Sequence, residues 1–207
     1  MTTILQITSS SRGAASHSNC LAEELSARLL EQHHAPRLIR RDLAAQAVHV
    51  LDPEAFAALG AASQARTAAQ HQLIEQYDAL IAEIRAADLI VLAAPMYNFA
   101  VPVQLKAYFD AIARAGVTFR YTSQGPIGLL TGKKVFVVLT RGGVHRDRPS
   151  DNQTPFLRSM LAFLGMTDVE YIYAEGLSMG DEARRKGLAS ARAAIAALCD
   201  AAQVTAA

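Results

Sequence analysis

Short apolar runs, set between longer stretches with an apolar residue every three or four positions, organise this chain. Ile4-Leu5-Gln6-Ile7, Leu89-Ile90-Val91-Leu92, Val135-Phe136-Val137-Val138-Leu139 and Val169 to Ala174 read as strands. Runs this continuous suit strands covered on both faces, as in a parallel sheet. Arg37-Leu38-Ile39-Arg40, after Pro36, reads as a shorter strand whose basic flanks suit a sheet edge. Helical periodicity fills the gaps. Leu21, Leu25 and Leu29 lie one turn apart, and Leu73, Ile74, Tyr77, Leu80, Ile81 and Ile84 stripe a helix over about 71–87. Leu105, Phe109, Ile112 and Ala113 give a helix over 103–114 its buried face, with Gly116 ending it. Two more helices are expected at about 156–164, closed by Gly165, and at 181–202. Residues 44–70 are rich in Ala and Gln and weakly patterned. They predict one or two short helices outside the sheet, with Asp52-Pro53 as a start. Alternating aromatics over 117–122, then a polar, Gly-rich stretch to Gly132, predict a small extended excursion.

Five strands alternating with helices predict a single α/β domain over residues 1–207, a parallel sheet with helices on both faces. The simplest strand order is 2-1-3-4-5, the flavodoxin-like winding. That order brings the loops after the first, third and fourth strands together at one sheet edge, where such folds bind ligands.

Those three loops differ in chemistry. The first, Thr8 to Asn19, offers hydroxyls and helix N-terminal N–H groups, a setting for an anion. Ser-rich loops also simply cap their own helix. The second, Ala93 to Pro102, carries Met96, Tyr97, Asn98 and Phe99 between two prolines, which suits a planar, partly polar ring. A hydrophobic loop tucked under a helix has the same composition. The third, Thr140-Arg141-Gly142-Gly143-Val144-His145, lets backbone approach a ligand and offers N–H donors with an imidazole beside them. A Gly-Gly pair equally turns a corner.

Composition narrows the function classes. With 51% hydrophobic residues the chain can bury a sizeable core, and a net charge of +1 gives no basic face for nucleic acid. No apolar run approaches the roughly 20 residues of a membrane span, and no secretory signal opens the chain, so a cytoplasmic protein is expected. Cys20 and Cys199 have neither zinc-site nor disulfide-framework spacing, and no metal site is expected. No G-x-G-x-x-G or G-x-S-x-G occurs. Gly128 to Lys134 looks like a P-loop, but its glycines are one residue too close and Lys134 replaces the magnesium-binding hydroxyl.

Taken together, the loops resemble the flavodoxin-like FMN-dependent NADH-azoreductases, also described as NAD(P)H:quinone oxidoreductases. The matching segments are Ser10 with Ser16-His17-Ser18-Asn19, Ala94 to Phe99, Ala113 to Tyr121, Thr131 to Lys134 and Arg141 to His145. Their order and spacing hold over nearly the whole length, and the stretch from Pro95 to Tyr121 is highly specific. The resemblance implies bound FMN, NADH or NADPH as co-substrate, and quinones and azo compounds as acceptors. It also implies a homodimer with active sites at the subunit interface.

By position, Ser10, Ser16, His17 and Ser18 would hold the phosphate and ribityl end, and Met96, Tyr97, Asn98 and Phe99 the flavin ring. Thr140, Arg141, Gly142 and Gly143 would meet its pyrimidine side. His145 would stabilise charge there, and Tyr121 and Phe163 would line the substrate pocket. Thr140 stands where many relatives have Ser, and His17 where they often have Gln. The mechanism implied is ping-pong: NADH passes a hydride to the flavin, and NAD leaves before the acceptor enters. The readings it competes with are a flavodoxin-type electron carrier, a receiver-type signalling domain and a free-flavin reductase. The near-neutral charge disfavours the carrier, and the missing acidic pair after the first strand disfavours the receiver.

Overall fold

The computed structural model describes residues 1–205. In chain order they form β1 (Thr3–Thr8), α1 (His17–Gln32), β2 (Arg37–Asp42), α2 (Pro53–Gly60) and α3 (Ala68–Ala86). Next come β3 (Leu89–Pro95), α4 (Val103–Ile112), β4 (Phe119–Thr122) and β5 (Gly125–Gly128). The chain then runs through β6 (Lys134–Thr140), α5 (Gln153–Leu164), β7 (Asp168–Ala174) and α6 (Asp181–Thr205). The main sheet is parallel and has the order β2-β1-β3-β6-β7, which is the expected 2-1-3-4-5 winding of five strands. The excursion is an antiparallel hairpin, β4–β5, separate from that sheet.

Period-two alternation along the strands divides the core into two layers. Leu5, Ile7, Ile90, Leu92, Val135, Val137 and Leu139 point to α3, α4 and α5. Ile4, Val91, Ala93, Phe136, Val138 and Ile172 point to α1 and α6. Each fully buried Leu, Ile or Val contributes roughly 1.5–3 kcal/mol, so the sheet is a stiff support for the loops at its edge.

Register makes that edge level. Pro95 pairs with Thr140 and Thr140 with Ala174, while β1 ends one residue beyond the Ile7–Leu92 pair. Four strands therefore release their loops at one height. At the opposite end, the Asp88 carboxylate accepts from the Thr3 N–H at 2.8 Å, and the Asp88 N–H donates to the Thr3 carbonyl.

Element boundaries depart from the periodicity where side chains outcompete it. Helix α4 stops at Ile112, short of Gly116, because the Thr118 hydroxyl donates to the Ile112 carbonyl and accepts from the Arg114 N–H. Helix α3 begins at Ala68, three residues before the expected start at about 71, at a capping box in which Thr67 and Gln70 serve each other's N–H. Asp52 caps α2 as expected, and Gly165 ends α5 with φ +99°.

Candidate active site

The loops after β1, β3, β6 and β7 enclose a cavity of about 360 Å³ above the sheet edge. That lies within the roughly 300–1,000 Å³ of small-molecule sites. Its first side is the segment from Ser9 to α1. Ser16 caps α1, its Oγ accepting from the Asn19 N–H at 3.4 Å. The next N–H groups, of His17 and Ser18, lie in a first turn that has no intrahelical acceptors, and no acidic residue stands there. Helix dipole and free donors make this an anion site. Arg12 and Arg184 add positive charge to the lining. Ser18 itself is fully buried behind this wall and spends its hydroxyl on Ser16 Oγ at 2.9 Å, so Ser10, Ser16 and His17, not Ser18, face the cavity.

The second side is flat and apolar, formed by Pro95, Met96 and Tyr97. Ser9 Oγ donates to the Ala93 carbonyl at 2.8 Å, and Ser10 Oγ lies 2.9 Å from the Tyr97 hydroxyl, tying the first two loops together. Beyond Tyr97 the backbone reverses in a tight turn closed by reciprocal Tyr97–Ala100 bonds at 2.9 and 3.0 Å. Asn98 and Phe99 sit there at φ +48° and +66°. A left-handed Phe is strained by roughly 1–2 kcal/mol. The strain holds the Phe99 ring outward, 54% exposed and edge-on to His145 at a centroid distance of 5.7 Å. Neither Asn98 nor Phe99 lines the cavity.

The third side is Thr140-Arg141-Gly142. Here the structure revises the expected contacts. The Arg141 side chain is fully buried beneath the loop and makes no use of the cavity. All its N–H donors have protein acceptors: Nε to Gln153, Nη1 to Asp151 and Glu175, Nη2 to Asp151 and Thr154, at 2.8–3.2 Å. Burial alone would push the Asp151 carboxyl up. Hydrogen bonds from the Thr154 N–H and hydroxyl and from Arg141, with the guanidinium charge, outweigh it and hold the group below its ordinary value.

The glycines are small for a reason different from the one expected. A Cβ on Gly142 would meet Ser178 Oγ at 2.9 Å, and one on Gly143 would meet His145 Nε2 at 2.8 Å. They make room for neighbouring protein as well as for any ligand. His145 is half-buried, its Nδ1 2.9 Å from Ser150 Oγ.

Tyr121 and Phe163 stand apart from the cavity. Phe163 packs on Phe119 at 4.4 Å and Phe119 on Tyr121 at 5.4 Å, leaving Tyr121 74% exposed on the hairpin. The periodic reading missed the fourth wall, Leu177, Ser178 and Arg184 after β7. It also missed Asp151, Gln153, Thr154 and Glu175 beneath the third loop. Asp151-x-x-Thr154 before Pro155 was the available signal: Asp151 Oδ1 accepts from the Thr154 N–H at 3.0 Å, a helix-start pattern. Nothing local marks Glu175. Among the described residues, no cluster of His, Cys, Asp or Glu could hold a metal ion.

Known proteins share this architecture. A family model described as the flavodoxin-like fold matches residues 2–198. "FMN-dependent NADH:quinone oxidoreductase 6" of Burkholderia lata is 53% identical over 197 residues, covering 95% of this chain and 100% of that protein. The FMN-dependent NADH:quinone oxidoreductase of Leptothrix cholodnii is 56% identical over 199 residues, covering 94% and 95%. The crystal structure of an azoreductase from Bacillus anthracis superimposes with a TM-score of 0.88 at 25% identity, covering 96% of this chain and 99% of that one. With relatives this similar along their full length, the chain belongs to the flavodoxin-like family and, within it, to the FMN-dependent NADH:quinone oxidoreductases.

Proposed function

We propose that this protein is an FMN-dependent oxidoreductase that uses NADH to reduce quinones by two electrons and to cleave aromatic azo bonds. The observation that carries the reading is the cavity itself. Its hydroxyl and N–H end, its flat apolar wall and its Gly142 strip converge at one level sheet edge. That donor set fits FMN. Ser10, Ser16 and the His17 N–H, with Arg12, answer a phosphate, and Ser18 supports them from behind. Met96 and Tyr97 answer a planar ring. The backbone of Thr140 to Gly142 answers its polar edge. When bound, FMN supplies the two-electron acceptor and donor between NADH and the second substrate.

The chain's own residues bind, orient and stabilise. The first turn of α1 fixes the anionic end by charge and hydrogen bonds. The Tyr97 wall sets the plane of the ring. Backbone N–H groups at Gly142 and Gly143, with the His145 imidazole beside them, offset negative charge at the ring's polar edge. The hairpin carries Tyr121 and Ile127 exposed to solvent, an apolar surface suited to a second copy of the chain. A homodimer that placed Tyr121 over its partner's cavity would give the acceptor a second aromatic wall. No helix among the described residues is long and apolar enough to cross a membrane, and the cytoplasm is where NADH is available.

The test is a visible spectrum of the purified protein. A flavin band that survives gel filtration, bleaches with NADH and returns on adding a quinone is the expected result. A colourless protein that ignores added FMN would sink the reading. A yellow protein that bleaches only through a second redox protein would instead mark an electron carrier.

A further inference from the structure

Glu175 follows β7 and reaches under the Gly142–His145 loop. Its Oε1 accepts from Arg141 Nη1 at 3.2 Å, from the His145 N–H at 2.7 Å and from the Arg146 N–H at 2.9 Å. One oxygen thus gathers a buried guanidinium and two consecutive backbone donors. The network continues from Arg141. Its Nε binds Gln153 Oε1, and Gln153 Nε2 donates to the Ala94 and Pro95 carbonyls at 2.9 and 3.0 Å. Those carbonyls immediately precede the Met96–Tyr97 wall. Backbone bonds reinforce the same joint, from Gly176 N–H to the Gly143 carbonyl and from Ser178 N–H to the Gly142 carbonyl, both at 2.9 Å. The Glu175 backbone lies close against α6, where a Cβ on Gly187 would stand 2.1 Å from its carbonyl oxygen.

We infer that Glu175 is a positioning residue: through Arg141 and the His145 and Arg146 N–H groups it fixes the distance between the aromatic wall after β3 and the Gly142-Gly143 strip after β6. It touches no ligand. It sets the width of the slot into which a flat ring must fit, and preorganised width is affinity. This inference rests on reading the cavity as a flavin site. Only Oε1 takes part in these bonds, so the geometry does not need the second carboxylate oxygen.

The experiment compares Glu175→Ala, Glu175→Gln and Glu175→Asp in the full chain. FMN and riboflavin are titrated against flavin-free protein by fluorescence quenching. Glu175→Ala is expected to weaken both flavins alike, by tenfold or more, because the phosphate is gripped elsewhere. The visible band of its bound FMN should move toward that of free flavin. Glu175→Gln keeps Oε1 in place and should bind both within threefold of the unaltered protein. Glu175→Asp keeps the charge but withdraws the oxygen, and should bind more weakly than Glu175→Gln. Should Glu175→Ala not fold, the Gln and Asp variants decide by their order. Flavin affinity within threefold in Glu175→Ala despite a lowered melting temperature would overturn the inference, as would Asp outperforming Gln. Unaltered protein that binds neither flavin would overturn the cofactor reading instead.

Discussion

At the Ser10–Ser18 end of the cavity the donors are hydroxyls and first-turn N–H groups with few protein partners; at the Arg141 end every donor of a buried guanidinium is already matched inside the protein. Although its hydroxyls also bond Tyr97, Ser18 and the Asn19 N–H, the first end keeps first-turn donors for a ligand. The second spends them on itself and presents only backbone. Direct bonding and preorganisation are two routes to affinity, and this cavity uses one at each end. The same substitution chemistry should therefore read out differently at the two ends.

The largest effect is expected beneath the Arg141 end. Arg141→Met keeps much of the apolar stem but removes the guanidinium, leaving the largely buried Asp151 and Glu175 carboxylates without their cation. Removing one partner of a buried ionic network costs about 3–5 kcal/mol. Urea unfolding should show a loss of that size. A loss under about 1 kcal/mol, the scale of an exposed ion pair, would mean that the network is not what holds this end together.

His145 comes next, because it stands beside Gly143 at the Arg141 end and is the side chain proposed to act on charge at the ring. Its backbone N–H is tied to Glu175 whatever the side chain, so His145→Ala should leave the loop and bound FMN in place. Turnover is expected to fall roughly tenfold to a hundredfold, at or below the cost of losing one preorganised donor. Unchanged steady-state kinetics would remove the imidazole from the reaction.

How well the two ends could be read from the chain follows the same division. The Ser16 cap, the apolar strands and the level edge all come from residues close in sequence, where period and cap chemistry speak directly. So do the short wall Pro95-Met96-Tyr97 and the Asp52 cap of α2. Arg141 was legible as a residue of the site but not as a buried one. Its acceptors are 10 to 34 positions away, in a polar stretch with no hydrophobic period and in the turn after β7. Hydrogen-bond pairing at that separation has no periodic signature. The aromatic pair Tyr121 and Phe163 was ambiguous for a related reason: aromatic content marks burial and binding alike, and both rings pack on Phe119 away from this chain's own cavity. Thr118 shortened α4 in the same way, through a side-chain hydroxyl whose reach no hydrophobic repeat encodes.

A smaller effect should separate the ends by ligand. Ser16→Ala removes the acceptor at the head of α1 and costs about 1 kcal/mol of stability. It also removes a hydroxyl from the anion site, so FMN should bind less tightly. Riboflavin, which has no phosphate, should bind as before. Equal losses for both flavins would place the ring, not the phosphate, at α1, and would reverse the orientation proposed for the ligand.

The smallest effect is one of acidity, and it tests whether the Arg141 end is electrostatic at all. Asp151 is held below its ordinary value in the folded chain, burial being outweighed by Thr154 and Arg141. As pH falls, the unfolded chain therefore takes up this proton before the folded one does. The stability due to Asp151 is whole above the ordinary carboxylate range and drains away as pH falls through the lower folded value. The α1 end offers hydroxyls, N–H groups and Arg12, and no carboxylate lines the cavity there. Phosphate titrates near pH 6, so FMN is the wrong probe and riboflavin the right one. Riboflavin affinity should hold from neutrality to the upper edge of the carboxylate range and then decline, with stability declining alongside. Asp151→Asn starts less stable at neutral pH, but its acid limb should be shallower, because the group that titrates is gone. An acid limb as steep in Asp151→Asn as in the unaltered protein would assign the loss to other carboxylates, and the contrast between the two ends would then rest on packing rather than on charge.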